Sequence, residues 1–297
     1  MSIARDRLES LVAVIDMGSF EAAARALSVT PSAISQRIRS LESQVGQVLV
    51  TRATPCAATA VGQVLVRLGR LQALLEHEAM AEISGGQRAV ADLHLAVNAD
   101  SLATWFVDVL HAASAWPDVT LRLTVADQER TGPMLRSGRV MAAVTADHKP
   151  VQGCSSEPLG VMRYVAVATP DLLARWRTAD GSPDYARMPV VHFDDNDQMQ
   201  RRLLAGRTPA AQPAYHVVPS SEGFVAAIRA GLGWGAIPED QLGDALGGGE
   251  LVALHPTMFE DVVLHWQAWR IESALLTRVT VAVREASARL RQGRQSR

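Results

Sequence analysis

Three short runs of apolar residues at helical spacing lie between positions 8 and 45, and they limit the possible folds more than any other feature of the chain. The runs are separated at 18–19 and 29–31, so three short helices are expected here. Thr30 is a favoured N-cap residue, and Pro31 suits the first helical turn, where its missing N–H costs nothing. The third helix therefore has a sharply defined start.

The third helix is predicted to have one packing face and one polar face. Ile34, Ile38 and Leu41 fall at i, i+4 and i+7, which places them together toward a core. The polar residues of the opposite face are Ser32, Ser35, Gln36 and Arg39. The preceding helix is rich in alanine and allows close approach across a short turn. These features predict a helix-turn-helix whose second helix enters the major groove of DNA.

A short strand at 48–52 and a return at 53–59 predict a hairpin, or wing, after the third helix. A further helix follows from Val61, with apolar residues at alternating spacings of three and four: Val64, Leu68, Leu71 and Leu75. This pattern is typical of a coiled-coil seam, but it is short. Dimerisation through this helix and packing of the helix on its own domain both remain open.

Beyond a glycine-containing break at 84–86, strand and helix patterns alternate, which predicts parallel βαβ units. The 297 residues are enough for a small domain and a larger one. We expect a winged helix-turn-helix domain at 1–60, a linker and dimerisation helix at 61–86, and a two-lobed α/β domain at 87–297. The first lobe is expected at about 90–162 and 268–297, and the second at about 163–267.

The composition is that of an ordinary folded protein, with 48% hydrophobic and 20% charged residues. No stretch approaches the roughly 20 apolar residues of a membrane-spanning helix, and the N-terminus does not resemble a secretory signal. Cys56 and Cys154 lie far apart and match no metal-ligand or redox spacing, so we expect two reduced thiols. The expected location is the cytoplasm.

Three enzyme signatures are present only in part. At 219–223 a proline replaces the first glycine of a nucleophile elbow. A zinc motif beginning at His77 has Ala81 where its second histidine belongs, and the glycines at 231–235 do not have the spacing of a dinucleotide fingerprint. The sequence therefore predicts no catalytic residue, no metal site and no cofactor.

The segment 20–42 strongly resembles the helix-turn-helix of LysR-type transcriptional regulators, and Arg52 with residues 59–62 resembles the wing of that family. By position, the resemblance implies DNA contacts from Thr30, Pro31, Ser32, Ser35, Gln36, Arg37, Arg39, Arg52 and Thr59. Gln36 suits a bidentate bond to adenine, whereas Arg52 suits a phosphate. Pro31 stands where a polar residue is commoner in the family.

The segment 96–106 is predicted to be a strand that runs directly into a helix N-terminus. Ligands of open α/β sheets bind at the carboxyl ends of strands, although a plain N-cap at Asp100 or Ser101 also fits the pattern. This segment resembles the subgroup of LysR-type regulators that control basic amino-acid export and metabolism. The same resemblance extends to residues 125–129, 220–224, 231–235 and Trp266. That resemblance covers nearly the whole chain and implies lysine or arginine as the effector.

The effector is expected in a cleft between the two lobes. Its α-carboxylate is placed at the helix N-terminus, near Ser101 and Thr104. A buried cation needs a paired acid, and the carboxylates expected to meet the cationic groups of the effector are Asp100, Asp127 and Glu222. The side chains expected to add hydrogen bonds are Asn98, Thr145 and Ser221.

The predicted architecture is an all-α winged helix-turn-helix, a linker helix, and an α/β effector domain like the periplasmic binding proteins. The predicted function is sequence-specific transcriptional regulation in response to a basic amino acid. The expected partners are double-stranded DNA, the effector, further copies of the chain in a dimer or tetramer, and RNA polymerase. The alternative is a cytoplasmic small-molecule-binding protein with a helical oligomerisation module, which would have no need of Arg39, Arg52 or the polar helix face.

Overall fold

The computed structural model describes residues 3–83, 90–126, 128–205, 207 and 213–291. The predicted break at 84–86 and the predicted effector residue Asp127 lie outside these residues. Within the described ranges, no helix combines the length and the apolar character needed to cross a membrane.

The N-terminal part consists of three helices and a small hairpin around one apolar core. The helices are α1 (Arg5–Met17), α2 (Phe20–Ala26) and α3 (Pro31–Val45), and the antiparallel hairpin strands are β1 (Val50–Thr51) and β2 (Ala57–Ala58). Their fully buried apolar residues include Leu11, Val14, Ile34, Leu41 and Leu49. Gly18 ends α1 with a positive φ of 70°, and the Ala22 N–H donates to Ser19 Oγ at 3.1 Å to start α2. Local capping therefore determines the turns between the helices.

Helix α4 (Ala60–Ile83) leaves the hairpin and carries an exposed apolar stripe on one side. Val64, Leu68 and Leu75 expose 49%, 43% and 41% of their surface. Leu71, the fourth residue of the predicted seam, is partly buried against the core of the C-terminal domain. Packing within the same chain therefore accounts for Leu71, and only the other three residues remain as an exposed stripe.

Gly62 allows α4 to lie directly against the hairpin. A Cβ atom added at this position would stand 2.1 Å from the backbone oxygen of Leu49, which is far inside contact distance. We expect Gly62→Ala to destabilise the N-terminal domain by about 3 kcal/mol, because a backbone atom cannot move aside as a side chain can. A thermal melt followed by circular dichroism measures the loss. Gly132→Ala is the matched control and should cause no comparable loss, since Gly132 also lies within a helix and its added Cβ would meet only the end of the Arg136 side chain, at 3.4 Å.

The C-terminal domain has two lobes. The first contains β3 (Ala91–Val97), α5 (Ala99–Ala103), α6 (Val107–Ala113), β4 (Val119–Val125), α7 (Gln128–Arg136), β5 (Ala142–Thr145) and α12 (Ala274–Ser287). The second contains α8 (Pro170–Arg175), β7 (Val190–His192), α9 (Met199–Leu204), β8 (Tyr215–Val217), α10 (Ser221–Arg229), β9 (Gly235–Pro238), α11 (Glu239–Leu242) and β10 (Val252–Ala253). Two long strands, β6 (Cys154–Ala168) and β11 (Phe259–Trp269), run through both lobes.

The main sheet has the strand order β10-β6-β11-β5-β3-β4, and β9 also pairs with β6. Strand β3 is parallel to β4 and β5, as the alternation of strands and helices predicts. Strand β11 is antiparallel to both β5 and β6, because the two long strands cross between the lobes in opposite directions. The strand register shifts between Leu264 and His265, close to the passage from one lobe to the other.

Between β3 and β4 the chain forms two short helices rather than one continuous helix. Helix α5 stops at Thr104, whose φ and ψ are −122° and −107°. Trp105 and Phe106 follow, both fully buried, with their rings edge to face at 5.6 Å. Both aromatic side chains therefore enter the core from the short break between α5 and α6.

Two arginines of α4 join the N-terminal domain to the first lobe. The Arg70 guanidinium pairs with Asp16 at the end of α1 and also donates to the backbone oxygen of Ser137 at 3.2 Å. Arg67 donates to the backbone oxygen of Arg136 at 3.3 Å and lies over the Trp269 ring, 4.7 Å from its centroid. The linker helix is therefore in direct contact with both of the units that it connects.

Candidate DNA-binding surface and effector cavity

The start of α3 forms an exposed polar surface. The Ala33 N–H donates to Thr30 Oγ1 at 3.2 Å, which fixes the N-cap that the sequence predicts. Pro31, Ser32, Gln36 and Arg39 are exposed on this helix, and Ser35 is half-buried. The opposite face is held in the core by Ile34, Ile38 and Leu41. A rigid helix with a short polar N-terminal surface can fit into the major groove of DNA.

Two of the predicted DNA contacts have structural partners instead. The Arg37 guanidinium is turned toward α1, where it pairs with Asp6 at 3.1 Å and donates to Ser10 Oγ at 3.3 Å. Thr59 caps α4, because its hydroxyl donates to the Val48 backbone oxygen at 2.8 Å and accepts from Gly62 N at 3.0 Å. Helix packing and capping account for these two residues, so the structure does not present either as an open contact.

Arg52 lies at the hairpin, exposed, next to the start of α2. Its guanidinium carbon is 5.1 Å from the centre of the Phe20 ring. Arg52 is otherwise exposed, so its positive charge remains accessible from solvent. This position suits a phosphate contact that sets the register of the head on DNA.

The C-terminal domain contains a cavity of about 310 Å³ beside the carboxyl ends of β3 and β7. The first lobe contributes Asp100, β6 contributes Tyr164, and the second lobe contributes the rest. The remaining lining residues are Phe193, Asp194, Asn196, Asp197, Gln198, Met199, Gln200, Arg202, Phe224, Ala236 and Pro238. A pocket at the ends of strands, between two lobes, is the ordinary place for a ligand in an open α/β fold.

Asp100 dominates the electrostatics of this cavity. The Tyr164 hydroxyl donates to Asp100 Oδ2 at 2.9 Å, and the Ser221 hydroxyl donates to Oδ1 at 2.7 Å. Burial raises the pKa of the Asp100 carboxyl, and the two hydroxyl hydrogen bonds lower it in part. No salt bridge within the described ranges involves this carboxyl group. A buried carboxylate without a cation is costly, so a cationic ligand would supply what it lacks.

Three other polar residues of the cavity, Asp197, Gln200 and Arg202, differ in their hydrogen-bond partners. Asp197 accepts from the backbone N–H groups of Phe193 and Met199, each at 3.0 Å, and therefore holds the start of α9. Gln200 is 2% exposed, and its Oε1 atom has no hydrogen-bond partner among the described residues. Arg202 pairs with Glu260 at 2.8 Å at the rim. The cavity thus offers acceptors for a cation and one guanidinium that could meet an anion.

Of the eight effector residues predicted from the sequence, the structure brings only Asp100 and Ser221 together here. Thr104 and Glu222 line a separate cavity of about 480 Å³ on the other side of α5 and α10. Thr145 lines a third cavity, of about 260 Å³, in the first lobe. These three residues therefore do not share the cavity of Asp100: α5 ends at Thr104, α10 carries Glu222 into the neighbouring cavity, and Thr145 lies at the end of β5.

Asn98 and Ser101 flank Asp100 without lining this cavity. Helix α5 begins at Ala99, so its N-cap residue is Asn98, whose side chain makes no capping hydrogen bond. Asp100 and Ser101 lie inside the helix, and neither is its N-cap. Ser101 is fully buried. Asn98 Oδ1 and Ser101 Oγ both lack a hydrogen-bond partner among the described residues.

The sequence did contain a signal for the residues that were missed. The segment 193–198, Phe-Asp-Asp-Asn-Asp-Gln, follows a short buried strand directly and is rich in carboxylates and amides. The rule that places ligands at the carboxyl ends of strands applies to it as well as to 96–106. Tyr164 had no comparable signal, since it lies within a long strand.

The two cysteines lie outside the cavity of Asp100. Burial raises the pKa of the Cys154 thiol to about 11, and neither cysteine is in a disulfide. The described residues contain no group of three or more side chains suited to a metal ion. A helix-turn-helix head and a cleft with a buried carboxylate define a ligand-responsive DNA-binding protein.

Comparison with protein families assigns both parts of the chain. Residues 5–63 match the bacterial regulatory helix-turn-helix proteins of the lysR family, and residues 86–289 match the LysR substrate binding domain. The chain belongs to the LysR family of transcriptional regulators. The head is thus a family DNA-binding domain rather than an oligomerisation module, and the curated relatives are regulators rather than enzymes.

Individual relatives are similar over almost the full length. The lysine export transcriptional regulatory protein LysG of Corynebacterium efficiens is 48% identical over 282 residues, which are 94% of this chain and 96% of that protein. The crystal structure of ArgP from Mycobacterium tuberculosis aligns with a TM-score of 0.86 and 43% identity over 97% of this chain and 98% of that one. Full-length LysG from Corynebacterium glutamicum with bound effector Arg aligns with a TM-score of 0.84 and 43% identity, covering 98% and 100%.

Proposed function

We propose that the chain is a transcriptional regulator whose effector is lysine or arginine and whose target is a gene for the export or metabolism of basic amino acids. The observation that carries the effector is the carboxylate of Asp100, which faces the cavity between the lobes and has two hydroxyl donors but no salt bridge among the described residues. The names of the LysG and ArgP relatives support the same class of effector and target.

In this proposal Asp100 meets the side-chain cation of the effector, with Gln200 Oε1 as a further acceptor. Arg202 meets the α-carboxylate, in place of the helix N-terminus predicted from the sequence. The proposed DNA contacts are Ser32, Ser35, Gln36 and Arg39 on α3 and Arg52 on the hairpin. The domain limits stay at 1–60, 61–86 and 87–297.

The proposed assembly is a homo-oligomer, a dimer or tetramer, joined through the exposed stripe of α4. Exposure of three apolar side chains on one face of a 24-residue helix is unfavourable in water, and packing against a second helix would bury them. The protein acts in the cytoplasm, where it has access to DNA, and RNA polymerase is its proposed partner at the promoter.

Isothermal titration of the purified chain with L-arginine and L-lysine tests the effector. Both should bind, whereas L-citrulline and L-norleucine, their neutral counterparts, should bind at least about 100-fold more weakly because they leave Asp100 without a cation. Footprinting of the region upstream of its own gene, with and without the bound amino acid, tests the regulation. Absence of heat with both basic amino acids, or equal binding of the neutral ones, would contradict the proposed effector.

Changes at Gln36 and Arg52 should separate base reading from phosphate binding. We expect Gln36→Ala to weaken binding to the footprinted site by about 1–3 kcal/mol and to leave binding to a scrambled duplex unchanged. Arg52→Ala should weaken both duplexes equally and reduce the salt dependence. Gel-shift titrations at several salt concentrations measure these effects. An equal loss on both duplexes for Gln36→Ala would remove that residue from the base-reading set.

A further inference from the structure

Asp100 is the end of a hydrogen-bond chain that begins outside the effector cavity. Gln241 Nε2 donates to Ser221 Oγ at 2.8 Å, and Ser221 Oγ donates to Asp100 Oδ1 at 2.7 Å. Gln241 belongs to α11 and lines the separate cavity of about 480 Å³ rather than the one that holds Asp100. The chain therefore joins the second lobe to the carboxylate of the first lobe through Ser221.

The chemistry of the three groups determines the direction of the chain. A serine hydroxyl has one proton, and an ionised carboxylate can only accept. Ser221 must therefore give its proton to Asp100, and its remaining lone pairs can only accept from residue 241. An amide nitrogen meets this need, whereas an amide or carboxylate oxygen at the same place would oppose the Ser221 oxygen. The orientation of the Gln241 amide is thus tied to an ionised Asp100.

The opposite arrangement is also self-consistent when Asp100 carries a proton. Asp100 would then donate to Ser221, and Ser221 would donate to the amide oxygen of a rotated Gln241. In the observed orientation Gln241 Oε1 is buried and has no hydrogen-bond partner within the described ranges. The observed orientation of the amide, which favours an ionised Asp100, therefore leaves Gln241 Oε1 without a hydrogen bond. Rotation of the amide would give Oε1 a donor only when Asp100 is protonated, because only then does Ser221 donate toward Gln241.

We propose that Gln241 is a positioning residue of the effector site, which acts through Ser221 to keep Asp100 ionised and so strengthens the binding of a cationic effector. The claim that Gln241 strengthens effector binding rests on the proposed function. The claim that Gln241 keeps Asp100 ionised does not. Gln241 touches neither the effector cavity nor any residue on the α3 surface, so its influence passes through the hydrogen bond to Ser221.

Several titratable and charged groups around Asp100 influence whether its carboxyl is ionised or protonated. Tyr164 faces it from β6, and Asp197 faces it from the segment before α9 and raises its pKa. The other charged residues near the hydrogen-bond chain are Asp194 and Arg202 in the same cavity, and Asp108, Glu222, Arg229, Asp240 and Arg289 in the neighbouring one. Because burial raises the pKa of Asp100 and the Ser221 hydrogen bond lowers it, a weaker Ser221 donor raises the pKa further.

The test compares L-arginine binding to four full-length variants at several pH values from acidic to neutral, because the pKa of the Asp100 carboxyl is raised. Gln241→Met keeps the shape and removes the donor, and it should weaken binding about fivefold to tenfold at neutral pH and more at lower pH. Gln241→Glu offers only acceptors, so its loss should be larger and should recover as the pH rises. Ser221→Ala, and the double variant of Ser221→Ala with Gln241→Met, complete a thermodynamic cycle.

If Gln241 acts through Ser221, Gln241→Met should add no loss in the Ser221→Ala background. The same loss in both backgrounds, or a loss that does not change with pH, would overturn the proposal in favour of a plain structural role. Carbon-13 NMR titration of the Asp100 carboxyl in ligand-free protein, assigned with Asp100→Asn, gives a second readout that needs no effector. An Asp100 pKa that stays the same in Gln241→Met and Gln241→Glu would overturn the proposal, whereas failure of the wild-type chain to bind arginine would count against the proposed effector alone.

Discussion

Asp100→Asn is expected to lower the affinity for L-arginine and L-lysine by about 100-fold or more, while the protein remains folded. The substitution preserves the size of the side chain and its ability to form hydrogen bonds with the Tyr164 and Ser221 hydroxyls, but it removes the negative charge that would pair with the cation. A basic effector would then bury its cation without a partner, which costs about 2–5 kcal/mol. Isothermal titration at neutral pH measures the change.

The same substitution should make the ligand-free protein more stable at neutral pH. Burial raises the pKa of Asp100 in the folded state above its ordinary value. The folded state therefore holds the proton more tightly than the unfolded state, and the resulting stability is present at low pH and is lost as the pH rises through the raised pKa. Asparagine has no such loss. The gain in melting temperature of Asp100→Asn over wild type should therefore be clear at about pH 7 and should shrink toward about pH 4.

Asp195→Asn is the matched control for both effects. Asp195 lies in the acidic segment before α9, is exposed, and does not line the cavity. It loses the same charge from the same region, so it should change neither arginine affinity nor the pH dependence of stability by a measurable amount. A comparable loss of affinity in Asp195→Asn would mean that general acidity, rather than the buried carboxylate, attracts the effector.

Leu68→Glu is expected to convert the assembly to monomers and to lower the affinity for the footprinted DNA by about 100-fold or more. Leu68 stands between Val64 and Leu75 in the exposed apolar stripe of α4, and a charge there cannot be buried against a second helix. One head presents few basic residues, so tight binding depends on two linked heads. Light scattering after size exclusion measures the mass, and gel-shift titration measures the affinity.

Gln63→Glu tests whether the position of the charge matters. Gln63 is exposed on the same helix but lies off the stripe, facing the space between the head and the first lobe. This variant should keep both the oligomeric state and the DNA affinity of the wild type. A Leu68→Glu protein that stays oligomeric and binds DNA normally would show that α4 is not the joining surface. Leu71 is unsuitable for this test, since it packs against the core of its own C-terminal domain.

The head could be predicted from the sequence almost residue by residue, and the effector site could not. The N-cap and the packing face of α3 depend only on residues of that helix and its start, so the sequence pattern is enough to predict them. These residues are Thr30, Pro31, Ile34, Ile38 and Leu41. The roles of Arg37 and Thr59 needed the structure, because the partners that occupy them come from α1 and from the start of α4.

The sequence alone determined the helix starts, the polar face of α3, the alternation of strands and helices, and the place of Asp100 at a strand-to-helix junction. These features depend on capping and periodicity, which act over a few residues. Only the tertiary structure decided what surrounds Asp100. Tyr164 is 64 positions away and Ser221 is 121 positions away, and both reach the carboxylate because two long strands bring the lobes face to face. A contact of that range depends on how the lobes pack, and no local pattern in the chain specifies it.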